Sequence, residues 1–125
     1  MGRVLVAEDD ETAALLIQRI LNQAGYQVDL AANGHEALKC FDADLHPVVW
    51  TDLSMPRMSG QELIRQLRAR ENPPVLIALT ADSSLPTIIQ TMRLGAFDYL
   101  PKPVSRETLL MRVNRGLEHA RLVQN

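Results

Sequence analysis

Short apolar runs alternate along this chain with longer stretches of helical period. Val4-Leu5-Val6-Ala7 is the first run, closed by Glu8-Asp9-Asp10. A run with no polar alternation reads as a strand covered on both faces. From Thr12 to Ala24, apolar residues recur at Ala13, Leu16, Ile17, Ile20, Leu21 and Ala24, one face of a helix that Gly25 stops. Val28 to Ala31 is a weaker, mixed strand. Asn33-Gly34-His35-Glu36 opens a short helix to about Phe41, with Asn33 as its cap. Val48-Val49-Trp50-Thr51 is the next buried strand and ends at Asp52. A loop from Leu53 to Ser59, holding Pro56, leads into a capping box, Ser59-Gly60-Gln61-Glu62, and a helix with Leu63, Ile64 and Leu67 inward. After Pro73-Pro74, Val75 to Leu79 is the most hydrophobic strand, and it ends at Thr80. A helix from about Leu85 to Leu94 carries Pro86 in its first turn and stops at Gly95. Phe97 to Leu100 is a short strand, followed by Pro101-Lys102-Pro103. Ser105 caps a last helix, about 105–123, with Leu109, Leu110, Val113, Leu117 and Ala120 on one face.

Five strand–helix units in succession predict an α/β domain of (βα)5 type, doubly wound, with a parallel sheet between two layers of helices. The length of 125 residues fits one such domain over residues 1–125, and with 46% apolar residues a compact core is within reach. Net charge is −2, from 13 basic and 15 acidic residues, so nothing electrostatic calls for direct contact with nucleic acid or a membrane surface. No apolar run approaches the ~20 residues of a membrane span. The single cysteine, Cys40, excludes an internal disulfide and is expected to lie half-buried on its helix. Trp50 is expected in the core. Cytoplasm is the default location.

In open α/β sheets ligands bind beyond the carboxyl ends of the strands, where strand order reverses. The residues that end each strand therefore matter most: Glu8, Asp9 and Asp10 after the first, Asp52 after the third, Thr80 after the fourth and Lys102 after the fifth. Three or four gathered carboxylates repel one another and call for a cation. Oxygen ligands with no His or Cys beside them suit Mg²⁺, which keeps several waters and leaves room for phosphoryl oxygens. Lys102 supplies a fixed charge, Thr80 a hydroxyl, and an Asp carboxylate is a competent nucleophile toward phosphorus. Asp10 is divided between a metal role and a helix cap.

On these residues the chain resembles the receiver domain of two-component response regulators over essentially its whole length. The matching pieces are Val4 to Glu11, Thr51-Asp52-Leu53-Ser54-Met55-Pro56 with Ser59-Gly60, Leu79-Thr80-Ala81, and Gly95 to Pro103; 43 residues separate Asp9 from Asp52, 28 more lead to Thr80 and 22 more to Lys102. The resemblance implies a CheY-like, flavodoxin-like fold with five parallel strands in order 2-1-3-4-5. It implies that Asp52 is the phosphoacceptor and that Asp9 binds Mg²⁺ directly, with Glu8 as its acidic partner. Ser54 would complete the metal shell through its backbone carbonyl. Thr80 and Lys102 would contact the phosphoryl group, and Thr80 and Tyr99 would be the switch residues. Pro103 is the candidate cis-proline.

The implied function is a phosphoacceptor switch rather than an enzyme. A sensor histidine kinase or phosphotransfer protein would write the signal on Asp52. The surface of the fourth helix, fifth strand and fifth helix would pass it to an effector or an attached output domain. Homodimerisation through the fourth and fifth helices is compatible with this, and the last helix is free to continue into a linker. A haloacid-dehalogenase-type phosphatase needs a second Asp two residues after the first, where this chain has Ser54. A flavodoxin-like electron carrier needs a Ser/Thr/Gly-rich phosphate loop after the first strand. A docking module that no longer accepts phosphate does not need the acidic set.

Overall fold

The computed structural model describes residues 3–123. Two residues at each end of the expected 1–125 unit therefore lie outside the description. Five strands and five helices alternate: β1 (Arg3–Ala7), α1 (Glu11–Gln23), β2 (Gln27–Ala31), α2 (Gly34–Cys40), β3 (Val48–Asp52), α3 (Gly60–Arg68), β4 (Val75–Thr80), α4 (Leu85–Leu94), β5 (Asp98–Pro101) and α5 (Arg106–Val123). All pairings are parallel, in the order β2-β1-β3-β4-β5. The predicted fold class is the observed one.

Side-chain alternation within each buried strand divides the interior into two cores. Val4, Val6, Trp50, Ile77 and Leu79 face α1 and α5, where Ile17, Leu21, Leu109 and Val113 meet them. Leu5, Ala7, Val49, Leu76 and Ala78 face the other way, onto Leu63, Ile64 and Leu67 of α3 and Ala37 of α2. Every residue of β3 and β4 is buried, which is why those strands read as unbroken apolar runs.

Local signals behave as their chemistry dictates. Asp10 accepts the N–H of Thr12 and Asn33 that of Glu36, while the Ser59 and Ser105 hydroxyls accept those of Glu62 and Thr108. The capping box at Ser59 is only half made, because the Glu62 carboxylate turns to Arg65 and Gln66 instead. Gly95 ends α4 at φ +114, a left-handed position that a side chain resists. The last strand starts at Asp98 rather than Phe97, although the Phe97 N–H still donates to Leu76 O. Cys40 is exposed, not half-buried, as the final residue of a short helix. Trp50 is fully buried. Among the described residues no helix is long and apolar enough to cross a membrane.

Candidate functional site

The chain leaves β1 for β2 on one flank and returns to β3 on the other, so the sheet's switch point lies between the carboxyl ends of β1 and β3. Glu8 and Asp9 follow β1, and Asp52 is the last residue of β3. Carboxylate oxygens of Glu8, Asp9 and Asp52 lie within 4.8 Å of one another. Glu8 and Asp52 are buried and Asp9 is exposed, so the group opens to solvent on one side. Asp10 is outside it: its side chain caps α1, which resolves its two readings in favour of the cap.

The fifth strand brings the cation. Lys102 Nζ donates to Asp52 Oδ2 at 2.8 Å and approaches Glu8 Oε1 to 3.3 Å. The peptide bond from Lys102 to Pro103 is cis. Burial, opposed by the N–H it accepts from Asp10 and reinforced by the Asp52 carboxylate beside it, pushes the Glu8 carboxyl up to about 7. Burial works against the charge on Lys102, but its bond to Asp52 and the two neighbouring carboxylates outweigh that and raise its pKa. The lysine therefore stays charged and is the counterweight to two buried acids.

The loop after β3 is held against the site by backbone. Ser54 N–H donates to Asp52 Oδ1 at 3.2 Å, and Gly60 N–H closes the loop onto Leu53 O at 2.9 Å. A Cβ on Gly60 would stand 2.1 Å from Asp52 O and 2.6 Å from Leu53 Cα, so the start of α3 sits directly on the backbone of Asp52 and only glycine fits. The exposed Ser54 is thereby fixed through its main chain, not its side chain. Thr80, buried at the end of β4, ties its hydroxyl to the Asp82 main chain: it donates to Asp82 O and accepts the Asp82 N–H. Tyr99 stands half-buried on β5, packed against the core on the α3 side of the sheet.

The donor set fits a hard cation. Three carboxylates, one of them on the solvent side, converge without His or Cys, and the buried Glu8 Oε1 meets only the Lys102 ammonium, at 3.3 Å. A buried carboxylate oxygen held by a single long ion pair keeps lone pairs to satisfy, and a divalent cation would satisfy them.

A second group, Asp29, Cys40 and His46, also brings ligand atoms within 4.8 Å of one another. It is not a comparable site. His46 Nδ1 accepts the Asp42 N–H at 3.0 Å, so the neutral ring carries its proton on Nε2 and donates it to Asp29 Oδ2 at 2.7 Å. No ring lone pair is left for a metal, and Arg3 already holds both oxygens of Asp29, at 2.6 and 3.0 Å. Nothing in the sequence flagged this pairing. The Arg3 hydrogen bond, opposed by burial and aided by His46, holds the Asp29 carboxyl down at about 2. A folded-state pKa below the unfolded value means stability that is present above about pH 4 and is lost as pH falls toward 2. Asp29→Asn is therefore expected to cost about 1–2 kcal/mol at pH 7 and almost nothing near pH 2, measured by urea unfolding at both pH values. An equal cost at both would show that the carboxylate charge is not the cause.

The sequence profile of the response regulator receiver domain matches residues 4–114. The chain belongs to the response regulator receiver family. It is 40% identical over 111 residues to the response regulator MprA of Mycolicibacterium vanbaalenii, covering 89% of this chain and 48% of that protein. Among solved structures, a response regulator receiver domain protein from Clostridium thermocellum superposes with a TM-score of 0.92 at 30% identity, over 98% of this chain and 99% of that one. The chemotaxis protein CheY4 of Vibrio cholerae superposes with a TM-score of 0.88 at 31% identity, over 94% of this chain and 99% of the other. The receiver thus spans about half the length of the curated response regulator MprA. As a member of this family the chain is a signalling module of two-component systems rather than a conventional enzyme.

Proposed function

We propose that this receiver accepts a phosphoryl group on Asp52 from a phosphohistidine of a sensor histidine kinase or phosphotransfer protein. An Asp52 carboxylate oxygen attacks phosphorus, the P–O bond forms and the P–N bond breaks. The departing imidazole nitrogen keeps the electron pair and takes up a proton. Water later attacks the acyl phosphate, releasing inorganic phosphate and restoring the carboxylate. The observation that carries the reading is the Lys102–Asp52 contact of 2.8 Å beside the Glu8 and Asp9 carboxylates. One fixed cation and an acidic group around one buried carboxylate support its role as the nucleophile.

Asp9, Asp52, the Ser54 carbonyl and, at one remove, Glu8 would hold Mg²⁺, which when bound neutralises charge on the phosphoryl oxygens. Lys102 holds the acceptor carboxylate in place and offers the same charge from the other side. Thr80 is the hydroxyl that turns toward the added group, and Tyr99 the ring that follows it. The altered α4, β5 and α5 surface then controls an effector or an output domain carried by a longer protein. The whole residue 1–125 unit acts as the receiver, in the cytoplasm, and homodimerisation through α4 and α5 fits the same surface.

The test uses phosphoramidate, a small donor with the P–N bond of phosphohistidine. Intact-mass analysis should show labelling that EDTA abolishes and that Asp9→Ala reaches only at Mg²⁺ concentrations raised by about tenfold or more. Equal labelling with and without EDTA would contradict the metal requirement.

A further inference from the structure

We infer that Asp82 and Thr87 form a tie between Thr80 and the first turn of α4, one that holds the resting state and opens when Asp52 is phosphorylated. The inference rests on the proposed role of Asp52 and adds the device that resists switching. Thr80 Oγ1 makes two bonds to the Asp82 main chain, donating to its carbonyl at 3.0 Å and accepting its N–H at 2.9 Å. The Asp82 side chain then reaches past the loop: Oδ1 accepts the Ser84 N–H at 2.9 Å and Oδ2 the Thr87 hydroxyl at 2.8 Å. Ser84 Oγ donates to Thr87 Oγ1 at 3.1 Å, and the buried Thr91 hydroxyl donates to Thr87 O at 2.7 Å, one turn further on.

The Ser84 hydroxyl accepts no backbone N–H at the start of α4, and the Asp82 carboxylate reaches that turn through the Ser84 N–H and the Thr87 hydroxyl. The Ser84 N–H and the Thr87 hydroxyl accordingly hold its carboxyl below the usual range. One residue therefore does two jobs that phosphorylation sets against each other. A Thr80 hydroxyl drawn to a phosphoryl oxygen must leave the Asp82 main chain. That frees the loop whose Asp82 carboxylate holds the Ser84 N–H and the Thr87 hydroxyl at the start of α4. The Thr80 movement then reaches the α4 surface as a loosened first turn, without a rigid lever.

Thr87→Val removes one hydroxyl from an exposed helix turn and leaves Thr80, Asp52 and the acidic group untouched. With Mg²⁺ and beryllofluoride as the phosphoryl mimic, Thr87→Val and Asp82→Ala should each bind the mimic about threefold to tenfold more tightly than the parent, because the resting state has lost a hydrogen bond. The double variant should match the tighter single one, since both cut the same tie. Hydrogen exchange at the first-turn amides of α4 should quicken in unliganded Thr87→Val. Affinities unchanged from a parent that binds the mimic, or fully additive gains, would overturn the tie and leave the Asp52 reading standing. A parent that binds no mimic would overturn both.

Discussion

Lys102→Ala is expected to slow phosphorylation of Asp52 by about 10²–10³-fold, the scale lost when one preorganised charge partner of a developing anion is removed. The magnitude follows from position. Lys102 reaches two carboxylates at once, Asp52 at 2.8 Å and Glu8 at 3.3 Å, from a half-buried place where water screens poorly. Without it, Glu8 and Asp52 face each other unneutralised, and the Glu8 carboxyl, already up at about 7 through burial, moves further upward. The loss should therefore appear in the rate of labelling by phosphoramidate at saturating Mg²⁺, with circular dichroism unchanged. A rate within twofold of the parent would mean that Lys102 is only a loop residue beside the site.

The second large effect concerns the scaffold. Trp50→Ala is expected to cost about 3–5 kcal/mol of unfolding free energy, a large share of the ~5–15 kcal/mol a domain of this kind has. Trp50 is fully buried: it lies in the core shared by β1, β3, α1 and α5, two residues before Asp52. Its indole Nε1 is buried without a partner. Trp50→Phe, which keeps a ring and removes that unpaired N–H, should cost clearly less than Trp50→Ala. Urea unfolding followed by far-ultraviolet circular dichroism decides it; a Trp50→Ala cost below about 1 kcal/mol would show that the core collapses around the gap.

The fold was legible because buried parallel strands leave no choice of face. Val48 to Asp52 and Val75 to Thr80 read as apolar runs because helices cover both sides, and the polar residues closing those runs are the ones that reach the sheet's ligand edge. Helix starts were legible for a different reason: a cap is a local bond, as at Asp10, Asn33, Ser59 and Ser105.

Contacts between distant residues of ordinary type were not legible. Arg3, Asp29 and His46 are separated by 26 and 17 residues and carry no motif, yet they form a buried-edge ion pair and fix a histidine tautomer. The exposure of Cys40 depends on where a short helix ends, which periodicity places only to within a residue or two. The resting direction of the Thr80 hydroxyl is a rotamer held by Asp82, and nothing in the residue types fixes it.

Asp52 is the residue on which every functional reading converges, buried at the end of β3 with Lys102 on one oxygen and the Ser54 N–H on the other. Intact-mass analysis of the parent and of Asp52→Asn, each treated with phosphoramidate and Mg²⁺, tests it most directly. The parent should gain one phosphoryl group that hydroxylamine removes, as an acyl phosphate requires, and Asp52→Asn should gain none. Full labelling retained in Asp52→Asn would contradict the assignment.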